Sequence, residues 1–280
     1  MIRSVETIDA GRFKLDGGAM FGVVPKSMWN KLNPADEDNM CSWALRCLLI
    51  RTDNRNILVD TGMGNKQDEK FRSFFHPHGE GDLIRSLAAR NLAPEDITDV
   101  ILTHLHFDHC GGAVQMLDGK LVPTFPNAKY WSNRTHWEWA RVPNERERNS
   151  FLKENFIPLE EQNVLHLLPD DGKPVQFAEG ITLHYYCGHT EGLYAVEVDC
   201  MGQNYLYPAD LIPSSFHLPV PYVMAYDVKP LITLSEKKQF LQMALDKKSI
   251  IVFEHDPVTE ACSVCVDERG KIVAGAKFTL

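Results

Sequence analysis

The run Val100-Ile101-Leu102-Thr103-His104-Leu105-His106-Phe107-Asp108-His109-Cys110-Gly111-Gly112 constrains this chain more than any other stretch. Val100 to Leu102 is a short apolar segment that reads as a buried strand. Beyond it lie three histidines and one aspartate within six residues. In an extended chain, side chains two apart share a face, so His104 and His106 converge on one ion. Asp108 and His109 follow the end of the strand, where a turning backbone aims them at a second ion. Gly111 and Gly112 remove side chains where the backbone must turn tightly into a following helix. Imidazole and carboxylate are the donors that Zn²⁺ and its neighbours prefer when no thiolate is used. A lone histidine in such a place reads as a satisfied core residue; this cluster does not.

Composition removes several function classes. The net charge of −9 offers no basic stripe for a nucleic acid. No apolar run approaches the roughly 18 residues of a membrane-crossing helix, and Met-Ile-Arg-Ser-Val-Glu has no signal-peptide core. Seven cysteines without repeated spacing suggest reduced thiols and a cytoplasmic setting. Cys262-x-x-Cys265 lies in a segment that reads as a strand, so its thiols point to opposite faces. A length of 280 residues and 44% hydrophobic content suffice for a sizeable core.

The rest of the chain alternates strand and helix signals. Residues 2–24 end in Asp16-Gly-Gly-Ala-Met-Phe-Gly22, a hairpin that reads as a flap over a site or as an ordinary edge. It is also the expected seat of any homodimer. Residues 44–50 and 56–60 are strands around the turn at Thr52 to Arg55. Asp82 caps a helix whose stripe is Leu83, Ile84, Leu87 and Ala88. A second helix runs from Arg134 to Arg141. Residues 143–163 are charge-rich with sparse apolar anchors and read as a solvated helical insertion, or a lid. Strands follow at 165–168, 181–186, 194–198 and 204–207. Thr233-Leu-Ser-Glu236 has capping-box spacing and opens a helix carrying Phe240, Leu241, Ala244 and Leu245. A buried strand from Ser249 ends at His255, and a hairpin over 262–278 closes the chain. Every donor falls just after an apolar strand: His104 to His109, His189, Asp210 and His255.

The motif His104-Leu-His106-Phe-Asp108-His109 resembles the signature of the metallo-β-lactamase-fold hydrolases. Further parts recur in order: Leu58-Val-Asp60-Thr-Gly62, Cys187-Gly-His189-Thr-Glu-Gly192, Tyr207-Pro-Ala-Asp210 and the strand that ends at His255. The resemblance covers about Ser42 to Pro257 and points to the quorum-quenching lactonase branch. It implies an α/β fold, an αββα sandwich of two mixed sheets flanked by helices, in one domain over 1–280. It assigns His104, His106 and His189 to one divalent ion and Asp108, His109 and His255 to another. Asp210 bridges them, and Asp60 braces the loop without being a ligand. Zn²⁺ is expected in both places, with Fe, Mn or Co as alternatives. Glu191 and Leu193 depart from the family's Gly-His-Thr-Pro-Gly-His, which weakens a glyoxalase II reading.

The implied chemistry is hydrolysis. Metals ~3.5–4 Å apart lower the pKa of a bridging water towards ~7, and the hydroxide attacks the carbonyl of a small ester or lactone. Asp108 and Asp210 are thus expected in the catalytic centre. Phosphotriester hydrolysis is the alternative on the same site. A metal-stabilised sensor without turnover is a third reading, against which the seven donors argue. The lactonases place a tyrosine three residues after the bridging aspartate. Here that position is Pro213, which has no donor. Ser214, Ser215, His217, Tyr222 and Tyr226 are the nearby replacements, with His217 first because a neutral imidazole both donates and relays a proton.

Overall fold

The computed structural model describes residues 1–169 and 171–280. The chain opens with a long strand β1 (Ile2–Asp16), the short helices α1 (Gly17–Phe21) and α2 (Lys26–Trp29), and the strands β2 (Met40–Thr52) and β3 (Asn56–Val59). Helices α3 (Glu69–Phe75) and α4 (Leu83–Ala88) lead to β4 (Asp99–Ile101), then α5 (Phe107–Cys110) carries the end of the histidine motif. A small hairpin of β5 (Val114–Leu117) and β6 (Lys120–Pro123) precedes β7 (Lys129–Asn133), α6 (Arg134–Arg141), α7 (Ile157–Glu161) and β8 (Leu165–Leu168). The second half holds β9 (Val175–Ala178), β10 (Ile181–Tyr186), β11 (Leu193–Cys200) and β12 (Gln203–Tyr207). It ends with α8 (Pro230–Asp246), β13 (Ile250–Val252), β14 (Ala261–Val266) and β15 (Ile272–Phe278).

These strands form two mixed sheets, one ordered β1-β2-β3-β4-β7-β8 and the other β15-β14-β13-β12-β11-β10-β9. Parallel pairs occur where a helix intervenes, as between β3 and β4 or β12 and β13, because parallel strands need a crossover. The inner faces meet in one apolar core, where Leu48, Ile50, Val59 and Ile101 pack with Leu183, Val196, Val198 and Tyr207. Phe240, Leu241 and Ala244 of α8 join that core from the far face of the second sheet. The outer face of the first sheet carries Leu49, Leu58, Val100 and Leu102, covered by Leu83, Leu87, Trp137 and Leu159. Helix, sheet, sheet and helix therefore stack as four layers, the expected αββα sandwich.

Several details differ from the sequence expectations. Gly112 leads through a 3₁₀ turn into β5 and not into a helix. The first glycine pair does not turn a bare hairpin: Asp16 accepts the Ala19 N–H at 2.7 Å and starts α1. Gly17 is needed there because a Cβ would sit 2.4 Å from the Trp29 ring. The helix placed at Thr233 begins at Pro230, whose fixed φ suits a first helical position. Glu236 is therefore inside the helix, and its carboxylate accepts the N–H groups of Cys187 and Gly188 at 2.8 and 2.9 Å. The segment over 143–163 is not a solvated helix, since Glu147, Phe151, Asn155, Phe156 and Leu159 are all buried.

Candidate metal centre

Each donor stands where a strand ends and its backbone is released. The backbone N–H of Asp60, the residue after β3, donates to Ile101 of β4 at 2.9 Å. The Asp60 carboxylate accepts from the Thr103 N–H at 2.8 Å and the Thr103 hydroxyl at 2.6 Å. This fixes the first turn of the loop that displays His104 and His106. The loop is tied back by the Leu105 N–H, which donates to His136 Nε2 at 2.7 Å. Gly111 and Gly112 serve close approach. A Cβ on either would lie 2.0 Å from Met63 O or 2.2 Å from Thr61 O, respectively. Positive φ at Asp60 (58°) and Ala209 (47°) places non-glycine residues in left-handed backbone beside the centre, a strain that clusters at functional sites.

The donors gather in two groups. His104, His106, His189 and Asp210 form one, and Asp108, His109 and His255 the other. His106 Nδ1 lies 3.1 Å from His104 Nε2 and 3.2 Å from His189 Nε2, while His109 and His255 face each other through Nε2 at 3.2 Å. Two nitrogens bound to one tetrahedral zinc at ~2.0–2.1 Å are about 3.3 Å apart, so these separations are those of ligands around an ion. Asp210 reaches both groups. Its Oδ2 is 3.2 Å from His189 Nε2, and its Oδ1, buried without a hydrogen-bond partner, is 3.2 Å from His255 Nε2.

The far nitrogens are held by other partners. His104 Nδ1 meets the Thr103 hydroxyl at 3.1 Å, His189 Nδ1 donates to Asp227 at 2.8 Å, and His255 Nδ1 donates to Ala44 O at 2.8 Å. His106 Nε2 faces Glu147 at 3.5 Å. His109 Nδ1 meets Asp60 at 3.1 Å and Glu254 at 3.0 Å. Such outer contacts fix the tautomer and aim the lone pair at the metal. Burial pushes His104 well below its ordinary pKa, helped by the imidazoles of His109, His106 and His189, so its lone pair is free. On His109 and His255 burial is outweighed by the carboxylates of Glu254 and Asp210, which pull both upward, His255 to about 9. The carboxylates around these imidazoles thus draw positive charge to the centre, as a cation site requires. Two divalent ions fit this donor set.

Asp227, Glu147, Glu254 and His136 carry no motif and escaped the sequence reading. Only Glu254, next to His255, had a positional signal. Glu147 is fixed by Thr190 at 2.6 Å, Asn144 at 2.7 Å and Trp139 at 2.8 Å. Burial opposes its ionisation, but His106, Thr190 and Asn144 bring its carboxyl down to about 2.

His217 requires a correction. It is 1% exposed and does not line the cleft. Its Nε2 donates to Met20 O at 2.9 Å, its Nδ1 accepts from Ser214 at 2.7 Å, and its ring stacks on Phe21. With both nitrogens spent it has no donor left for a substrate. Burial lowers its pKa to about 3, which keeps it neutral in that structural role.

The cleft has a volume of about 370 Å³. His106, Asp108, His189, Asp210 and His255 form its floor, and Leu15, Met20, Phe75, Phe107 and Met224 give it apolar walls. Arg146, Asn149, Ser150 and Tyr226 are its other polar residues besides Glu147. The end of β1 and α1, where a flap was one expectation, therefore wall the site, and so does part of the 143–163 segment.

Comparison with known proteins places the chain in a family. Residues 46–255 match the family described as the metallo-beta-lactamase superfamily. An N-acyl homoserine lactonase of Bacillus cereus is 26% identical over 268 residues, covering 91% of this chain and 94% of that protein. A probable metallo-hydrolase of Mycobacterium tuberculosis is 27% identical, covering 76% of each. Among solved structures, a probable metal-dependent hydrolase from Staphylococcus aureus superposes with a TM-score of 0.89 at 29% identity, covering 99% of this chain and 96% of that one. The dizinc quorum-quenching lactonase AidC, in complex with an N-acyl homoserine product, superposes at 0.79 with 22% identity, covering 100% and 98%.

Proposed function

The chain belongs to the metallo-beta-lactamase superfamily, and from that premise we propose that it is a dinuclear-metal hydrolase that opens a carboxylic ester or lactone. The observation that carries this reading is Asp210, whose carboxylate stands between two separate histidine groups and approaches both. A purely structural site closes around one ion with four donors; here seven donors gather at a cleft and five of them line it. The names of the full-length relatives favour a lactone within the ester class.

In the proposed site His104, His106 and His189 hold one ion, Asp108, His109 and His255 the other, and Asp210 joins them. Two divalent ions, Zn²⁺ foremost, supply Lewis acidity and an activated water when bound. The residues of the chain do the rest. Asp227, Glu147, Asp60 and Glu254 keep the imidazoles oriented. Leu15, Met20, Phe107 and Met224 exclude water from one side of the cleft and suit an acyl group. Tyr226, the last of the residues that replace the family tyrosine, lines the cleft and offers a phenol to the substrate oxygen. With an ordinary pKa near 10, raised further by desolvation at the cleft and by the carboxylates of Asp16, Asp108 and Asp210, that phenol keeps its proton at neutral pH.

The test is metal analysis and turnover in one experiment. Protein purified without chelator should carry about two divalent ions per chain and hydrolyse lactones or aryl esters faster than phosphotriesters. Asp210→Asn keeps the shape but removes the shared charge, so it should lose the second ion first and nearly all turnover. An Asp210→Asn protein with two ions and normal rates would sink the reading. A phosphotriester preference would replace the substrate class and leave the metal centre intact.

A further inference from the structure

A second cavity, of about 270 Å³, shares no lining residue with the cleft. It is bounded by β1, by the loop after β3 and by the stretch between α3 and α4. Two arginines line it, Arg12 and Arg72. Among the described residues neither guanidinium takes part in a salt bridge or a side-chain hydrogen bond. Arg72 Nη1 is buried without a partner, and so is the Thr124 hydroxyl on the same wall. Buried donors are nearly always satisfied, and a guanidinium is satisfied best by a carboxylate or phosphate that accepts two parallel N–H bonds.

The only acid lining the cavity among the described residues is Asp82. Its carboxylate already accepts the Arg85 N–H at 2.9 Å as the cap of α4. His78 is committed as well, to Ser42 and to His76 O at 2.8 Å each. Asn65 and Gln115 add amide donors to the wall. We propose that this cavity binds a small oxyanion, a carboxylate or phosphate group, through Arg12 and Arg72. The site is independent of the hydrolase reading. It nevertheless abuts the metal loop through Thr61, Met63, Gly64 and Gly112. Arg72 also shares α3 with Phe71 and Phe75, which pack on Phe107 at 5.2 and 4.4 Å between ring centres. Phe75 and Phe107 line the cleft, so an anion that fixes Arg72 also fixes one wall of the active site.

The test uses metal-loaded protein. Inorganic phosphate, and separately succinate, is titrated calorimetrically into wild type, Arg12→Gln and Arg72→Gln. Arginine-dependent binding of either anion, weakened by about tenfold or more in each variant, supports the site and tells phosphate from carboxylate. Because phosphate also binds divalent ions, crystals soaked in tungstate locate the anion directly. An anomalous peak within hydrogen-bond distance of Arg12 and Arg72 is the expected result. Tungstate found only at the metal centre overturns the proposal, as do isotherms that are unchanged in both variants. Should Arg72→Gln fail to fold, Arg12→Gln and the tungstate map decide alone.

Discussion

Tyr226 sits between two fixed points. The N–H of Ala225 donates to Ala19 O at 2.8 Å, and the Asp227 carboxylate accepts a hydrogen bond from His189 Nδ1 at 2.8 Å. Arg146 bonds the carbonyls of both neighbours, Ala225 and Asp227. The phenol is therefore delivered to the cleft by backbone that is anchored on both sides. If it donates to the oxygen on which charge develops, Tyr226→Phe should lower kcat by roughly 10²–10³-fold, the range for one such donor. KM and metal content should change little, because the ring still fills its place and touches no ion. A Phe variant with wild-type kcat on the best ester or lactone would remove Tyr226 from the reaction. His217→Ala should instead lower stability through the lost packing on Phe21, with kcat following only the folded fraction.

At the scale of elements, β10 and β11 carry a buried charge cluster away from the metals. Glu197 of β11, with a side chain 5% exposed, meets His184 of β10 at 2.7 Å and Asn204 of β12 at 2.8 Å, and is paired with Lys247 after α8. The His184 bond is foremost in pulling its carboxyl from 4.5 to about 2, with Lys247 and Asn204 adding to it against burial. A depressed folded pKa gives stability that is present above pH 4.5 and is lost as pH falls towards 2. Discounting for the partly exposed partners leaves roughly 1–2 kcal/mol. Glu197→Gln should be less stable than wild type by about that much at pH 7, and the gap should shrink by roughly 40% at pH 3.5. Urea denaturation of both proteins at the two pH values measures it, and a gap that does not narrow rejects the assignment. This cluster also marks the limit of what sequence could tell. The strands themselves were legible from alternation and turns, such as Met201-Gly202 with φ of 52° and 85°. The helix from Arg134 to Arg141 was placed to the residue. The start of α8 was not, because Thr233 and Glu236 mimic a cap while Glu236 is used across the fold to hold the loop before His189. The histidine motif was legible because its spacing is local. Glu147, Asp227 and Glu254 were not, since only tertiary folding brings them to an imidazole.

At the scale of the whole molecule, the donors divide between the two sheets. His104, His106, Asp108 and His109 follow β4 of the first sheet, while His189, Asp210 and His255 follow β10, β12 and β13 of the second. Ions shared by these groups would pin one sheet to the other at the edge where the strands end, adding to the apolar core between them. Without ions the buried carboxylates of Asp60 and Glu254 share one cluster around His109, a cost that burial cannot relieve. A ligand that binds only the folded chain stabilises it by about 4 kcal/mol at a thousand times its Kd. For a chain of this size, loss of such an ion lowers Tm by on the order of 10 °C. Chelation should therefore destabilise the protein clearly, and zinc added back should restore both Tm and turnover. Scanning calorimetry with and without chelator, with metal content measured on the same samples, makes the comparison. Asp210→Asn supplies the control. With the second ion already weakened, its Tm should respond less to chelator than wild type does. A wild-type Tm that stays put while both ions are demonstrably gone would mean that the core alone joins the sheets, and that the centre serves only chemistry.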